Sequence, residues 1–238
     1  GGTIYDGSGK PPVVGDVAIK DDRIVAVGKV DGKAKREVAA KGMAVAPGFI
    51  NMLSWATESL IADPKSQSDI RQGVTLEVMG EGWSMGPMNA TMKRQETERQ
   101  GDIKYPIEWT TLGDYFGWLE KRGISTNVAS FVGAATVRVH ELGEGDVDPN
   151  LEQLARMRAL VRQAMNEGAM GVGSSIIYAP GSYAETDELV ALTSEVAKCG
   201  GMYISHMRSE GDRIEEAVDE LIDISRRSGA PAEIYHLK

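Results

Sequence analysis

The stretch Gly201-Met202-Tyr203-Ile204-Ser205-His206, a helical period over residues 213–227, and the run Glu233-Ile234-Tyr235-His236 together decide the fold class. Each apolar, β-prone run closes on a histidine, and the two histidines stand 30 positions apart. Between them Ile214, Ala217, Val218, Leu221, Ile222 and Ser225 repeat at helical spacing, and Ser228-Gly229-Ala230-Pro231 ends the repeat. A strand reached through a helix can lie parallel to the strand before it, which puts both imidazoles at one end. The plain alternative is a core or loop role for each histidine.

The same alternation extends upstream. Residues 170–176 read as a strand, followed by a helix that Thr186 caps and that carries Leu189, Leu192 and Val196 on one face. Asp148-Pro149 supplies an N-cap and a first-turn proline for a helix reaching about Glu167, with Leu154, Met157, Val161 and Ala164 as its apolar stripe. Residues 111–122 are helical, with Thr111 and Asp114 spaced as a capping box and Gly123 at the end. Strands are expected at 127–132 and 73–79, the latter after a short helix over 63–72.

Residues 1–46 read differently, as a small β module with a tight hairpin around Asp21-Asp22 and a last strand stopping at Pro47-Gly48. Two domains follow, 1–46 and 47–238. The second is α/β with a parallel sheet and right-handed crossovers. From Met43 onward about six strands can be counted, whereas a closed (β/α)8 barrel needs eight. An open doubly wound sheet accommodates six as well.

Composition narrows the function. A net charge of −9 and the lack of a dense Lys/Arg cluster argue against a nucleic-acid partner. No apolar run is long enough to span a bilayer, so no membrane association is expected. The single cysteine, Cys199, excludes an internal disulfide and cannot build a thiolate metal site alone. Without an initiator Met, the chain is expected to begin inside a longer product, and its localisation and oligomeric state stay open.

Several segments carry a resemblance. They are Gly1-Gly2-Thr3-Ile4-Tyr5-Asp6-Gly7, Arg23-Ile24-Val25-Ala26-Val27-Gly28, Val45-Ala46-Pro47-Gly48-Phe49-Ile50 and Gln72-Gly73-Val74-Thr75. Further on come Ile177-Tyr178-Ala179-Pro180-Gly181-Ser182-Tyr183-Ala184, Ser205-His206-Met207-Arg208-Ser209-Glu210-Gly211 and His236-Leu237-Lys238. In this order and spacing the chain resembles the amidohydrolase superfamily, within it the D-aminoacylase or N-acyl-D-amino-acid deacylase group. The resemblance implies an incomplete TIM-like (β/α)8 barrel joined to the N-terminal portion of a β-sandwich. It also implies a hydrolase that deacylates N-acyl-D-amino acids with one zinc ion.

Site residues follow from the same resemblance. His206 and His236 fall on histidines that end strands five and six of the group, and Glu81 falls on its strand-two ligand. A carboxylate with two imidazoles is a catalytic zinc set that leaves a coordination position open. Strand alternation places Thr75, Glu77, Met79 and Glu81 on one face, Met202, Ile204 and His206 on one face, and Ile234, His236 and Lys238 on one face. Glu81 can equally be a loop residue between two glycines. The substrate's carboxylate is expected to meet Lys238, with Arg208 as the second cation and Tyr178 at the border. For Arg208 a surface ion pair with Glu210 or Asp212 is the alternative. The general base, an aspartate, is expected beyond Lys238, so residues 1–238 alone are expected to be inactive.

The departures are specific. Where the superfamily continues with Asp-x-His-x-His, this chain has Asn51-Met52-Leu53-Ser54-Trp55, and Gly133-Ala134-Ala135 occupies a Gly-His-Gly place. One of two metal positions is therefore expected to be lost. Two other readings stay open: a cyclic-amide hydrolase of the same superfamily, and a metal-free descendant that only binds a ligand. Residues 82–109, with Met85, Met88 and Met92, read as a long loop, either a lid or a surface excursion.

Overall fold

A computed structural model describes residues 1–237, in two compact units, Gly1–Phe49 and the remainder from Ile50 onward. The first unit holds β1 (Gly2–Ile4), β2 (Val13–Lys20), β3 (Arg23–Gly28) and β4 (Ala44–Val45) in one sheet ordered β3-β2-β1-β4. The expected hairpin is β2 against β3, antiparallel, and Asp21 turns it with a φ of 57°.

The second unit alternates strands and helices. Its elements begin with β5 (Phe49–Asn51), which starts at the boundary, then α1 (Ser59–Ala62), α2 (Gln67–Ile70), β6 (Val74–Met79), α3 (Ala90–Arg99) and α4 (Leu112–Arg122). They continue with β7 (Asn127–Ser130), β8 (Val132–Gly133), α5 (Ala134–Leu142) and α6 (Leu151–Asn166). The last are β9 (Gly171–Ser175), a 3-10 turn (Gly181–Tyr183), α7 (Thr186–Ala197), β10 (Met202–His206), α8 (Ile214–Ser228) and β11 (Ala232–Ile234). Two sheets result, β5-β6-β7 and β11-β10-β9-β8, and only Phe131 separates β7 from β8. The pairs β6–β7, β8–β9, β9–β10 and β10–β11 are all parallel. Parallel strands under helices are buried on both faces, and β9 accordingly exposes almost nothing.

Helices α6, α7 and α8 pack side by side, α6 against β8, α7 against β9 and β10, and α8 against β11. Met157, Val161, Leu189, Leu192, Val196 and Ile224 are fully buried there, each worth about 1.5–3 kcal/mol of transfer free energy for the larger side chains. Ile224 belongs to this face although the 213–227 pattern points to its neighbour Ser225.

Three helix starts differ from expectation. The helix expected over 63–72 is confined to α2, Gln67–Ile70, and a separate α1 ends at Ala62 before Pro64, because the proline lacks an N–H and disfavours helical backbone before it. The cap of α6 is Asn150 rather than Asp148: its side chain accepts from the Glu152 and Gln153 amides while Gln153 bonds back to the Asn150 amide. Thr186 opens α7 without capping it, and its hydroxyl donates to Glu220 at 2.9 Å, tying α7 to α8. The Thr111/Asp114 capping box forms as read. The 82–109 stretch is packed, since α3 buries Met92 beside Met88 and Val139, and Asn89 caps it while donating to the His140 carbonyl.

Glu195 on α7 is buried, which raises a carboxyl's pKa, but Lys198, Arg162 and Arg158 all bond to it and pull it down to about 2. A folded pKa below the unfolded 4.5 adds stability that is full above about pH 4.5 and is lost as pH falls toward 2. The three cations are about half exposed, so screening reduces the effect to about 1–2 kcal/mol. Urea midpoints of the parent and Glu195→Gln should therefore differ at pH 7 and converge near pH 2; parallel curves across that range would contradict this.

No helix among the described residues is long and apolar enough to cross a membrane. Cys199, just past the end of α7, is exposed and free.

Candidate metal centre

Glu81, His206 and His236 converge. Glu81 Oε1 lies 3.2 Å from His206 Nδ1 and 2.8 Å from His236 Nε2, and the three donor atoms fall within 4.8 Å of one another. Glu81 and His206 are buried, and the side chain of His236 is 21% exposed, which leaves the site open on one side. The imidazoles stand nearly perpendicular, at 87° with centroids 4.3 Å apart. A tetrahedral ion with bonds of about 2.0–2.1 Å needs ligand atoms about 3.4 Å apart, close to this spacing. The donor set therefore fits a divalent metal.

Each side chain arrives by a different route. His206 follows its strand: Met202 and Ile204 pack with Val78 and Phe131 on the face where it points, while Tyr203 packs into the main core under the helices. Glu81 does not follow the alternation of β6. Met79 packs into the main core and Val78 on the histidine face, so parity alone would turn Glu81 away. Gly80 redirects the chain at a φ of +102°, where a Cβ would sit 2.3 Å from the Phe131 carbonyl oxygen. At Gly82 (φ +78°) a Cβ would sit 2.6 Å from Ser175 Cβ. Ile234 packs under the helices, and His236 lies beyond the end of β11, so it too reaches the site off the strand's alternation.

The cavity above these residues is about 490 Å³, lined also by Leu53, Trp55, Trp83, Ser175 and Tyr178. Asn51 donates to Glu77 and accepts from the Leu53 amide, and the Ser54 amide donates to the Val78 carbonyl. This turn presents Trp55, whose indole N–H donates to Glu81 Oε2 at 3.1 Å. Tyr178 sets its ring edge-to-face on His206, with centroids 5.2 Å apart. Neither Trp55 nor Trp83 is among the expected site residues. The substituted His-x-His place was the available signal for Trp55.

Arg208, expected as the second cation for the substrate, is bonded on all sides to the protein itself. Its Nε and Nη2 donate to both oxygens of Glu220, and its Nη1 and Nη2 donate to the Ser182 and Ala184 carbonyls, all at 2.8–2.9 Å. The guanidinium is consumed in pinning the Tyr178 loop to α8, and it pairs with neither Glu210 nor Asp212 in place of Glu220. Lys238 lies outside the described residues.

No family model matches the chain. It is 32% identical over 243 residues to D-aminoacylase of Alcaligenes xylosoxydans xylosoxydans, covering 100% of this chain and 49% of that protein. A solved D-aminoacylase, described as defining a novel subset of amidohydrolases, superposes with a TM-score of 0.88 at 30% identity over 100% of this chain and 50% of its own. The chain resembles the D-aminoacylase group of amidohydrolases along its whole length. Another D-aminoacylase structure, with a TM-score of 0.88 and 29% identity over 100% of this chain and 50% of its own, describes a binuclear metal centre with one-metal activation and second-metal attenuation. N-acyl-D-glutamate deacylase from Bordetella bronchiseptica, in complex with zinc and a phosphonate mimic of the tetrahedral intermediate, matches at TM-score 0.85 and 28% identity over 98% of this chain and 49% of its own. This D-aminoacylase-like chain spans about half the length of the relatives it matches.

Proposed function

We propose that the protein carrying this chain is a metal-dependent hydrolase that removes the acyl group from N-acyl-D-amino acids, and that Glu81, His206 and His236 hold its one zinc ion. The observation that carries this is the convergence of one carboxylate oxygen and two ring nitrogens in an open cavity, in a chain that resembles deacylases along its whole length. Bound there, zinc would act as a Lewis acid on the amide carbonyl and lower the pKa of a water to about 7.

The chain's own residues do the rest of what is described. Trp55 occupies Glu81 Oε2, leaving Oε1 to face the histidines, which supports monodentate ligation. Leu53 and Trp55 stand where the superfamily carries His-x-His, which supports one metal rather than two. Trp55, Trp83 and Tyr178 form an aromatic wall suited to an apolar acyl chain. The substrate's carboxylate is assigned to Lys238, since Arg208 is committed to Glu220 and the Tyr178 loop. On this reading the second unit is part of a (β/α)8 barrel and the first unit part of a β-sandwich.

The test is hydrolysis of paired N-acyl-D- and N-acyl-L-amino acids by the complete protein. The D series should be cleaved, a chelator should suppress cleavage, and one equivalent of zinc should restore it. Cleavage insensitive to chelation, or faster with the L series, would overturn the proposal.

A further inference from the structure

We infer that Glu210 is the positioning carboxylate of this centre, with one oxygen shared by both imidazoles on the side away from Glu81. The inference rests on the reading of Glu81, His206 and His236 as a metal set. Glu210 Oε1 lies at ion-pair distance from both rings, 3.5 Å from His206 Nε2 and 3.2 Å from His236 Nδ1, without hydrogen-bond alignment to either. Glu81 Oε1 lies against the opposite nitrogen of each ring, His206 Nδ1 and His236 Nε2. Both rings thus lie between two carboxylates, and the nitrogens facing each carboxylate are reversed from one ring to the other.

A neutral imidazole carries one N–H and one lone pair, so the position of the proton decides which nitrogen can ligate. A carboxylate only accepts, so the negative charge of Glu210 beside them favours the proton on His206 Nε2 and on His236 Nδ1. The lone pairs are then left on His206 Nδ1 and His236 Nε2, the two atoms that face Glu81 Oε1. Because the rings are perpendicular and close, one oxygen can reach an edge nitrogen of each. Without it, both rings would be free to take the tautomer that turns an N–H toward the metal position.

The backbone supports this placement. Glu210 lies four residues after His206, on the loop between β10 and α8. Arg208, two residues before it, is bonded to α8 through Glu220 and to the Ser182 and Ala184 carbonyls. The loop is therefore clamped beside the carboxylate, and Glu210 itself is only half-buried. A metal-ligating histidine commonly donates its second N–H to such an outer group, and loss of that group costs about 10–100-fold in metal affinity or activity.

The experiment measures zinc affinity of the complete protein by chelator competition, together with the absorption spectrum of its Co²⁺-loaded form. Glu210→Ala should weaken zinc binding about 10–100-fold and alter the cobalt bands. Glu210→Gln, which keeps an acceptor oxygen, should fall between Ala and the parent, and it carries the test alone should the Ala variant not fold. Parent-like affinity and spectrum in both variants would overturn the inference while leaving the metal set intact. Loss of zinc as complete as in Glu81→Ala would make Glu210 a ligand and overturn it as a positioning residue. If the parent itself binds no zinc, the metal reading falls and this inference with it.

Discussion

On the proposed function, replacing His236 by alanine in the complete protein is expected to strip bound zinc and reduce hydrolysis of N-acyl-D-amino acids to background. The ring supplies one of three donor atoms, with Nε2 2.8 Å from Glu81 Oε1. Its loss leaves a carboxylate and a single imidazole, and the cost should exceed the roughly 100-fold upper end seen for outer partners of a metal. His236 is a cleaner choice than His206. It lies past the end of β11 and is part exposed, so truncation removes a donor without opening a core cavity, whereas His206 is buried within β10. The measurement is metal content after dialysis, read beside thermal stability. Stoichiometric zinc in a folded His236→Ala variant would sink the metal reading, because the two donors that remain cannot form a catalytic set.

How far the sequence carried this site depends on the residue. The α/β alternation, the parallel order of β8 to β11 and the caps of α4 were legible because apolar period and turn chemistry act locally. His206 was legible for the same reason: it ends a strand whose alternation it obeys. Glu81 and His236 were reached through the resemblance, and the parity offered for them is not the mechanism that places them. A left-handed glycine turns Glu81 toward the site, and the end of β11 frees His236 from its strand. The bonds of Arg208 were not legible, because a guanidinium near a metal motif suggests an anion. Its partner Glu220 sits on α8, twelve residues away, and no local pattern announces that pairing. Glu210 went unassigned because a loop carboxylate four residues after a histidine has meaning only once the other ring is in place.

The largest stability effect is expected away from the site, at the pair joining Arg138 on α5 to Glu188 on α7. Both side chains are almost wholly buried, with Arg138 Nη1 2.5 Å from Glu188 Oε2 and Nη2 2.6 Å from the Val147 carbonyl. Burial pushes the Glu188 carboxyl up to about 7 against the pull of Arg138. The two partners should therefore respond unequally to removal. Glu188→Ala strands a guanidinium that cannot shed its proton, and should cost about 3–5 kcal/mol at any pH near neutrality. Arg138→Met leaves a carboxyl that can stay protonated. A raised folded pKa favours the folded state at low pH and loses that advantage as pH rises, so this variant should be mild near pH 5 and progressively worse toward pH 8. Combining Arg138→Met with Glu188→Leu removes both buried groups and should recover most of the loss. Urea unfolding of the three variants at pH 5 and pH 8 separates these outcomes. A Glu188→Ala variant within about 1 kcal/mol of the parent would show that water or backbone, rather than Glu188, satisfies the buried guanidinium.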